Sequence, residues 1–236
     1  MHYFRIVLHT TSIIIPTYNE ADTIGNTIAF LKTHSKSLLN EIIISDGGSS
    51  DATVSIANSC GVRVVISSQK GRAAQMNFGA SVAKGTTLYF VHADCLPPIN
   101  FIDDIQNAVN AGFDCGRYRT KFDSPKLRYK FNAFFTRFDW LLCYGGDQTF
   151  FITRGLFDTI NGFDNSMKIM EEYDLTIRAK KLGRYKIFSD TALVSVRKYQ
   201  GRSWWQVQRA NSKAVALFKR GTSPEEIFTT YKRMLG

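Results

Sequence analysis

The sequence predicts an α/β fold in which a central, mostly parallel sheet is flanked by helices. Short runs rich in isoleucine and valine alternate with segments of helical periodicity over the first half of the chain. This alternation is typical of parallel strands joined by right-handed helical crossovers. Polar residues collect where these strands end, and ligands of such sheets bind at the carboxyl ends of the strands. We therefore expect the functional site at that edge of the sheet.

The predicted central strand covers residues 86–91 and is followed by an isolated carboxylate, Asp94. Its residues are mostly apolar, aromatic or β-branched, which suits a strand that is buried on both faces. Pro97 and Pro98 cannot continue a strand, so Asp94 should lie near the carboxyl end. A carboxylate in that position can hold a divalent cation, and the cation can hold a diphosphate. The alternative is an aspartate that caps the next helix.

The first half of the chain is expected to hold four strands and three helices. The strands are predicted over 12–16, 41–45, 62–66 and 86–91, and the helices around 24–31, 54–60 and 73–83. Thr17 and Glu20 follow the first strand, Asp46 follows the second, and Asp94 follows the fourth. These four side chains should meet at one edge of the sheet.

The second half mixes both kinds of element. We predict helices over 100–111, 125–142, 154–160 and 170–182, and strands over 115–122, 148–153, 184–189 and 192–196. Ser124 and Pro125 should begin the long aromatic helix as its cap and first residue. Two helices complete the chain. We expect one main domain over residues 1–200 and a C-terminal helical extension over 201–236.

Composition limits the classes of partner. The 236 residues include 30 basic and 20 acidic side chains, which favours an anionic partner. The basic residues are scattered, which argues against nucleic acid. The four cysteines show no metal-binding spacing, and no apolar run approaches the length of a membrane span. With no signal-peptide core near Met1, a cytoplasmic protein is expected.

Two adjacent acids, Glu171 and Glu172, open the helix predicted over 170–182. Acids in the first turn and the lysines Lys180 and Lys181 in the last complement the helix dipole, so a purely structural role is one interpretation. The other is a pair of site carboxylates.

Several motifs occur together in a recognisable order. They are IIIPTYNE at 13–20, SDGGSSD at 45–51, VHAD at 91–94, GF at 162–163 and EEYDL at 171–175. As an ordered set they resemble family 2 glycosyltransferases with the GT-A fold, the nucleotide-diphospho-sugar transferase fold. Three further segments resemble the radical-SAM/selenodomain-associated transferase subgroup: GRAAQMN at 71–77, GDQ at 146–148 and SVRK at 195–198.

This resemblance implies an inverting transfer of a sugar from a nucleotide diphosphate sugar to an acceptor hydroxyl. The nucleotide would be bound by residues matched to the family pattern, with Asp46 accepting hydrogen bonds from the base and Arg72 contacting the nucleotide. The complete nucleotide-binding set is Pro16, Thr17, Glu20, Asp46, Arg72 and Ala93. Glu172 matches the general base, with Glu171 beside it as a second catalytic candidate.

The resemblance also implies a Mg²⁺ or Mn²⁺ ion. Asp94 matches the last acid of the metal-binding D-x-D motif, and His92 stands where that motif has its first acid. We therefore take Asp94 and His92 as metal candidates. Contacts to the sugar or the acceptor are expected from Gly146, Asp147, Gln148 and Arg197.

Other classes of protein fit less well. A nucleotidyltransferase of similar architecture should have a glycine-rich loop after the first strand, where the chain has PTYNE at 16–20. A dinucleotide-dependent oxidoreductase needs G-x-G-x-x-G there. A nucleotide-sugar-binding or membrane-binding protein with a lapsed catalytic site is a further alternative, and His92 in the metal motif favours it.

Aromatic residues and cations near 125–142 and 204–220 raise the question of where the acceptor lies. Trp204 and Trp205 stand near Lys213, Lys219 and Arg220, a combination that suits a membrane interface. Peripheral contact with the inner face of the membrane would bring the site to a lipid-linked acceptor. The alternative is that these faces pack on the domain itself or on a second subunit, as in a homodimer.

Overall fold

The computed structural model describes residues 9–35, 39–145, 148–199 and 201–236. Its strands are β1 (Thr11–Thr17), β2 (Leu39–Asp46), β3 (Arg63–Ile66), β4 (Thr87–Phe90), β5 (Cys95–Leu96), β6 (Cys115–Phe122), β7 (Phe150–Thr153) and β8 (Tyr185–Val194). Its helices are α1 (Ala21–His34), α2 (Thr53–Ser59), α3 (Arg72–Val82), α4 (Phe101–Asn110), α5 (Leu127–Phe135), α6 (Arg154–Thr159), α7 (Glu171–Leu182), α8 (Trp204–Lys219) and α9 (Pro224–Leu235).

The strands form one mixed sheet in the order β3-β2-β1-β4-β7-β6-β8-β5. The four strands of the first half are parallel to one another, as predicted. Beyond β4 the directions mix, because β7 is antiparallel to both β4 and β6, whereas β6 and β8 are parallel. The expected α/β architecture with flanking helices is confirmed.

Alternation along β1 divides the core between the two faces of the sheet. Ile13 and Ile15 pack with α1, α2 and α4, whereas Ile14 packs with α3, α6 and α7. All three isoleucines are fully buried, as expected for a strand covered on both faces. Helix α3 approaches β1 closely at Gly79, where an added Cβ would lie 2.5 Å from Cγ2 of Ile14.

Neighbouring strands bring the polar residues of the motifs to one edge. Thr17 at the end of β1 pairs in register with Asp46 at the end of β2. On the other side of β1, the amide of Val91 donates to the carbonyl of Ile14, which carries the chain beyond β4 towards Asp94. The carboxyl edge of the parallel strands therefore carries the predicted site.

Both predicted bounds of the long aromatic helix, 125 and 142, are wrong. Helix α5 begins at Leu127, without a side-chain cap, and ends at Phe135; a short 3₁₀ turn follows at Leu141–Cys143. The buried guanidinium of Arg117 donates to the carbonyls of Thr136 (2.7 Å) and Phe138 (3.2 Å). These carbonyls are thus engaged by a side chain at the point where the helix ends. Helical periodicity in the sequence cannot reveal such a distant partner.

The strands predicted over 184–189 and 192–196 are one strand, β8. A register shift against β6 between Arg117 and Arg119 lets both parts of β8 pair with the same neighbour. The short strand β5 was not predicted. Strand β4 ends at Phe90, and the two residues just before Pro97 pair antiparallel with Leu193 and Val194.

The C-terminal helices α8 and α9 pack on the first turn of α7 and on the segment before β7. Tyr144, Met170 and Tyr173 form a buried cluster with apolar side chains of α8 and α9. These two helices therefore cover one side of the region that holds Glu171 and Glu172. Within the described ranges, no helix is long and apolar enough to cross a membrane.

Candidate active site

A cavity of about 370 Å³ lies at the carboxyl edge of the parallel strands. It brings together residues that are far apart in sequence and that the motifs had predicted. They are Pro16, Thr17, Glu20, Arg72, His92, Ala93, Asp94 and Arg197. Tyr18 and Gln75 complete the described lining. We call this the edge cavity. Of the predicted nucleotide-binding residues, only Asp46 is absent from its lining.

Asp46 is fully enclosed rather than open to a ligand. One carboxylate oxygen accepts from the hydroxyls of Thr17 and Ser49, and the other from the backbone amides of Gly48 and Ser49. Four donors from the chain itself therefore occupy the carboxylate, which the sequence had predicted to accept hydrogen bonds from a base. In this structure Asp46 shapes the loop after β2.

Gln75 is the supporting residue that sequence reasoning missed. Its amide nitrogen donates to the carbonyls of Thr17 (2.5 Å) and Ser45 (3.1 Å), so α3 holds the ends of β1 and β2 together. Buried backbone carbonyls need such partners. The signal was present in the GRAAQMN segment, which supplies both Arg72 and Gln75 to the edge cavity.

Arg197 joins the turn after β8 to both carboxylates of the edge cavity. Its guanidinium pairs with Glu20, and its Nη2 lies 3.6 Å from Oδ2 of Asp94. One third of the Arg197 side chain is exposed, so it can contact a ligand in the edge cavity from this position. Arg197 was expected to contact the sugar or the acceptor, and the structure places it beside Asp94.

Arg72 connects the edge cavity to a second cavity of about 240 Å³, which holds Glu171 and Glu172 and which we call the glutamate cavity. Nη1 of Arg72 lies 3.2 Å from Oε1 of Glu171 and 3.9 Å from Oε1 of Glu172. The Arg72 side chain is 44% exposed, whereas that of Glu171 is 2% exposed. A cation at the boundary therefore faces both compartments.

Burial raises the pKa of the Glu171 carboxyl above its ordinary value, although the nearby Arg72 guanidinium lowers it in part. The negative charge of Glu172 adds to the increase. Glu171 thus lies inside the protein behind Arg72. This position favours a supporting role for Glu171 over direct contact with a substrate.

Glu172 has a different environment from its neighbour. Nε2 of His92 lies 2.8 Å from Oε1 of Glu172, and the two side chains are 14% and 11% exposed. An ionised carboxylate only accepts hydrogen bonds, so this contact requires the proton on Nε2 of His92. This contact engages one of the two ring nitrogens, and in the neutral ring the other keeps its lone pair. His92 and Asp94 both line the edge cavity, so both stay metal candidates.

The residues present fit a divalent cation that arrives with a diphosphate. The described residues contain no cluster of three or more His, Cys, Asp or Glu side chains that could hold a metal by themselves. Asp94 is nevertheless partly exposed at the edge cavity, and its ion pair with Arg197 is long, at 3.6 Å. Mg²⁺ is commonly bound by one or two carboxylates together with substrate phosphates.

The remaining predicted contacts fall elsewhere. Gly146 and Asp147 lie outside the described residues. Gln148 lines a third cavity, which shares Tyr173 with the glutamate cavity. Asp174 forms an ion pair with Arg178 one helical turn later, as a structural residue of α7 would.

The architecture is that of nucleotide-diphospho-sugar transferases with the GT-A fold. A glucosyl-3-phosphoglycerate synthase from Mycobacterium tuberculosis, solved with Mn²⁺, uridine diphosphate and glucosyl-3-phosphoglycerate, superposes with a TM-score of 0.64 at 19% identity, over 91% of this chain and 81% of that one. A mannosyltransferase from Pyrobaculum calidifontis, solved with GDP-Man and Mn²⁺, superposes with a TM-score of 0.69 at 17% identity, over 96% and 70% of the two chains.

The chain belongs to glycosyl transferase family 2, whose model matches residues 12–171. It is also similar to a PGL/p-HBAD biosynthesis glycosyltransferase of Mycobacterium bovis, strain BCG. The two are 29% identical over 211 residues, which cover 78% of this chain and 72% of the relative. The protein is therefore a glycosyltransferase.

Proposed function

We propose that this protein transfers a sugar from a nucleotide diphosphate sugar, bound in the edge cavity, to an acceptor hydroxyl that enters beside Glu172. The observation that carries the proposal is the position of Arg72. This one cation lines both the edge cavity and the glutamate cavity. A donor diphosphate and a general base would thus lie on either side of the same guanidinium.

The edge cavity suits a diphosphate. Arg72 and Arg197 supply two cations, and guanidinium groups bind phosphate oxygens in a bidentate manner. Asp94 would hold a divalent cation, Mg²⁺ or Mn²⁺, which when bound offsets the charge that builds on the leaving diphosphate. The two solved relatives carry Mn²⁺ with their nucleotides, which supports the same assignment here.

Glu172 is proposed as the general base. Its carboxylate accepts the proton of the acceptor hydroxyl while the acceptor oxygen forms a bond to the anomeric carbon. The bond between that carbon and the diphosphate oxygen breaks, and the nucleotide diphosphate leaves with the electron pair. Attack from the side opposite the leaving group inverts the anomeric centre, as expected for this family. His92 orients the base through its contact with Oε1 of Glu172.

A donor screen tests this proposal. Nucleotide diphosphate sugars with different bases and sugars are compared by thermal shift with Mn²⁺, because a bound ligand stabilises the folded state. The preferred donor is then assayed with wild type and with Glu172→Gln. The variant should bind the donor normally and should lose about 10²–10⁴-fold in turnover. Donor binding without any turnover by the wild type would instead support a binding protein with a lapsed site.

The second part of the proposal is that one face of the protein contacts an anionic membrane. Large apolar side chains are exposed on and after α5 and at the start of α8. They are Leu127, Phe131, Phe134, Trp140, Leu142 and Trp205, and we call them the aromatic face. Residues 124–138 contain four cations and no acid. Exposed rings beside unbalanced cations suit the headgroup region of an anionic bilayer, in keeping with a cytoplasmic protein at the inner face of the membrane.

Two finer assignments belong to the same proposal. The first is membership of the radical-SAM/selenodomain-associated subgroup, supported by the positions of Arg72 and Arg197, which come from two of its segments. The second is a division into a transferase domain over 1–200 and a helical extension over 201–236. Its support is that α8 and α9 follow the last strand and pack on each other, with the first turn of α7 and the segment before β7 in the same cluster.

A further inference from the structure

A third cavity, of about 350 Å³, lies between β6, α5 and α8, and of the motif residues it contains Gln148 and Tyr173. Phe122, Phe135, Trp140 and Leu142 supply much of its apolar wall. Its volume is within the range of small-molecule sites in proteins. We call it the aryl cavity.

The aryl cavity shares part of its wall with the glutamate cavity. Gly145, Tyr173 and Asn211 line both. An added Cβ on Gly145 would lie 1.6 Å from Cε2 of Tyr173, so the backbone there is in contact with the ring. Tyr173 directly follows Glu172 in α7. A molecule in the aryl cavity would therefore contact residues that also line the cavity of the proposed base.

The polar groups of the aryl cavity are neutral. Amides and hydroxyls such as Asn132, Gln148 and Gln208 contribute to the lining, and none of the described lining residues carries a charge. The side-chain oxygen Oε1 of Gln148 is buried without a hydrogen-bond partner among the described residues. The side-chain nitrogen Nε2 of the same residue donates to the backbone carbonyl of Cys143. This oxygen is a neutral acceptor, so the polar part of the lining offers no charge to an occupant.

We propose that the aryl cavity is the acceptor site and that the acceptor is an uncharged alcohol or phenol with a largely apolar body. This inference rests on the proposed function, since it names the acceptor for the same base. Burial of a phosphate or carboxylate in this lining would leave an anion without a cationic partner, which is costly. The mycobacterial synthase, by contrast, was solved with glucosyl-3-phosphoglycerate, a phosphorylated product.

The aromatic face lies at the entrance to the same cavity. Trp140 and Leu142 belong to both, and the two side chains are 52% and 61% exposed. Phe135 lies in the cavity wall, and its ring centroid is 4.8 Å from that of Phe131 on the aromatic face. An apolar acceptor can thus pass from an apolar surface into the cavity. An aryl alcohol and an alkyl alcohol would both be uncharged and largely apolar, and the experiment below distinguishes between them.

Binding is measured by calorimetry on the full chain, with nucleotide diphosphate and Mn²⁺ present. Two probes are used: phenylbutanol for the aryl class and octanol for the alkyl class. Ser212→Trp places a ring at the exposed rim of the cavity, whereas Ala216→Trp places the same ring on α8 outside its lining. We expect at least one alcohol to bind. Ser212→Trp should weaken it by about tenfold to a hundredfold, and Ala216→Trp should not.

Transfer to the same alcohols and to phosphoglycerate then decides the acceptor class. The inference predicts transfer to the bound alcohol and none to phosphoglycerate. It is overturned if phosphoglycerate is the better acceptor, if neither alcohol binds, or if Ser212→Trp binds as the wild type does. Nucleotide binding in the same samples reports on the edge cavity separately. If nucleotide fails to bind while an alcohol does, the proposed function fails and the cavity assignment survives only as a binding site.

Discussion

Nε2 of His92 lies 2.8 Å from Oε1 of Glu172, and this contact joins the loop after β4 to the first turn of α7. His92 stands where the family motif has an acid, and an acid in that place would face another carboxylate. A histidine at position 92 can instead donate a hydrogen bond to Glu172 and so orient the proposed base. The lapsed-site interpretation had depended on His92, and this geometry gives the residue a positive role.

Substitution of His92 should affect turnover more than donor binding. His92→Ala removes a hydrogen bond to a charged group, typically about 1.5–3 kcal/mol, so kcat should fall about tenfold to a hundredfold with little change in donor affinity. His92→Gln keeps an N–H donor and should recover part of the loss. His92→Asp should be at least as damaging as His92→Ala. If His92→Asp instead strengthened Mn²⁺-dependent donor binding and activity, the residue would belong to the metal site.

Substitution of Asp94 should uncouple metal from nucleotide binding. Asp94→Asn keeps the shape of the side chain and removes the charge that would hold the cation. Calorimetry of a nucleotide diphosphate with and without Mn²⁺ should show a metal-dependent gain in affinity for the wild type and little or none for the variant. Asp158→Asn, an exposed aspartate on α6, is the matched control. An equal gain in Asp94→Asn would remove Asp94 from the metal site.

The buried carboxyl of Glu171 should make stability depend on pH. Its folded pKa is raised above the ordinary value of 4.5, so the folded protein holds the proton more tightly than the unfolded chain does. Stability of the wild type should therefore fall as pH rises from about 4.5 through the folded pKa. Glu171→Gln lacks this dependence and keeps an oxygen for Arg72. In denaturant unfolding, its stability relative to wild type should increase with pH; a constant difference would contradict the assignment.

The aromatic face should bind anionic vesicles reversibly. Co-sedimentation should require anionic lipid and weaken with salt, because the flanking cations are exposed and screened. Phe131→Ala combined with Trp205→Ala should reduce binding, whereas Leu182→Ala, an exposed apolar residue on α7, should not. If the protein does not sediment with vesicles and the double variant instead changes its molar mass in light scattering, this face is a homodimer interface.

The parallel half of the sheet could be predicted from sequence because its signals are local. A strand such as β1 is a run of isoleucines between polar residues, and the bounds of α3, α6 and α7 lie within a residue or two of those expected. The second half was less predictable. Helix α5 ends where Arg117 engages the following carbonyls, and β5 exists because β8 lies beside it. Neither partner is near in sequence.

The sequence by itself determined the family, the edge of the sheet that carries the site, and most of the residues in the edge cavity. Those follow from hydrophobic periodicity and from the order of the motifs along the chain. Only the tertiary structure decided how the charges are paired: Asp46 enclosed by its own loop, Arg72 between two cavities, and His92 on Glu172. The physical reason is that hydrogen bonds and ion pairs act over a few ångströms, whereas these partners are separated by up to about one hundred residues in the chain.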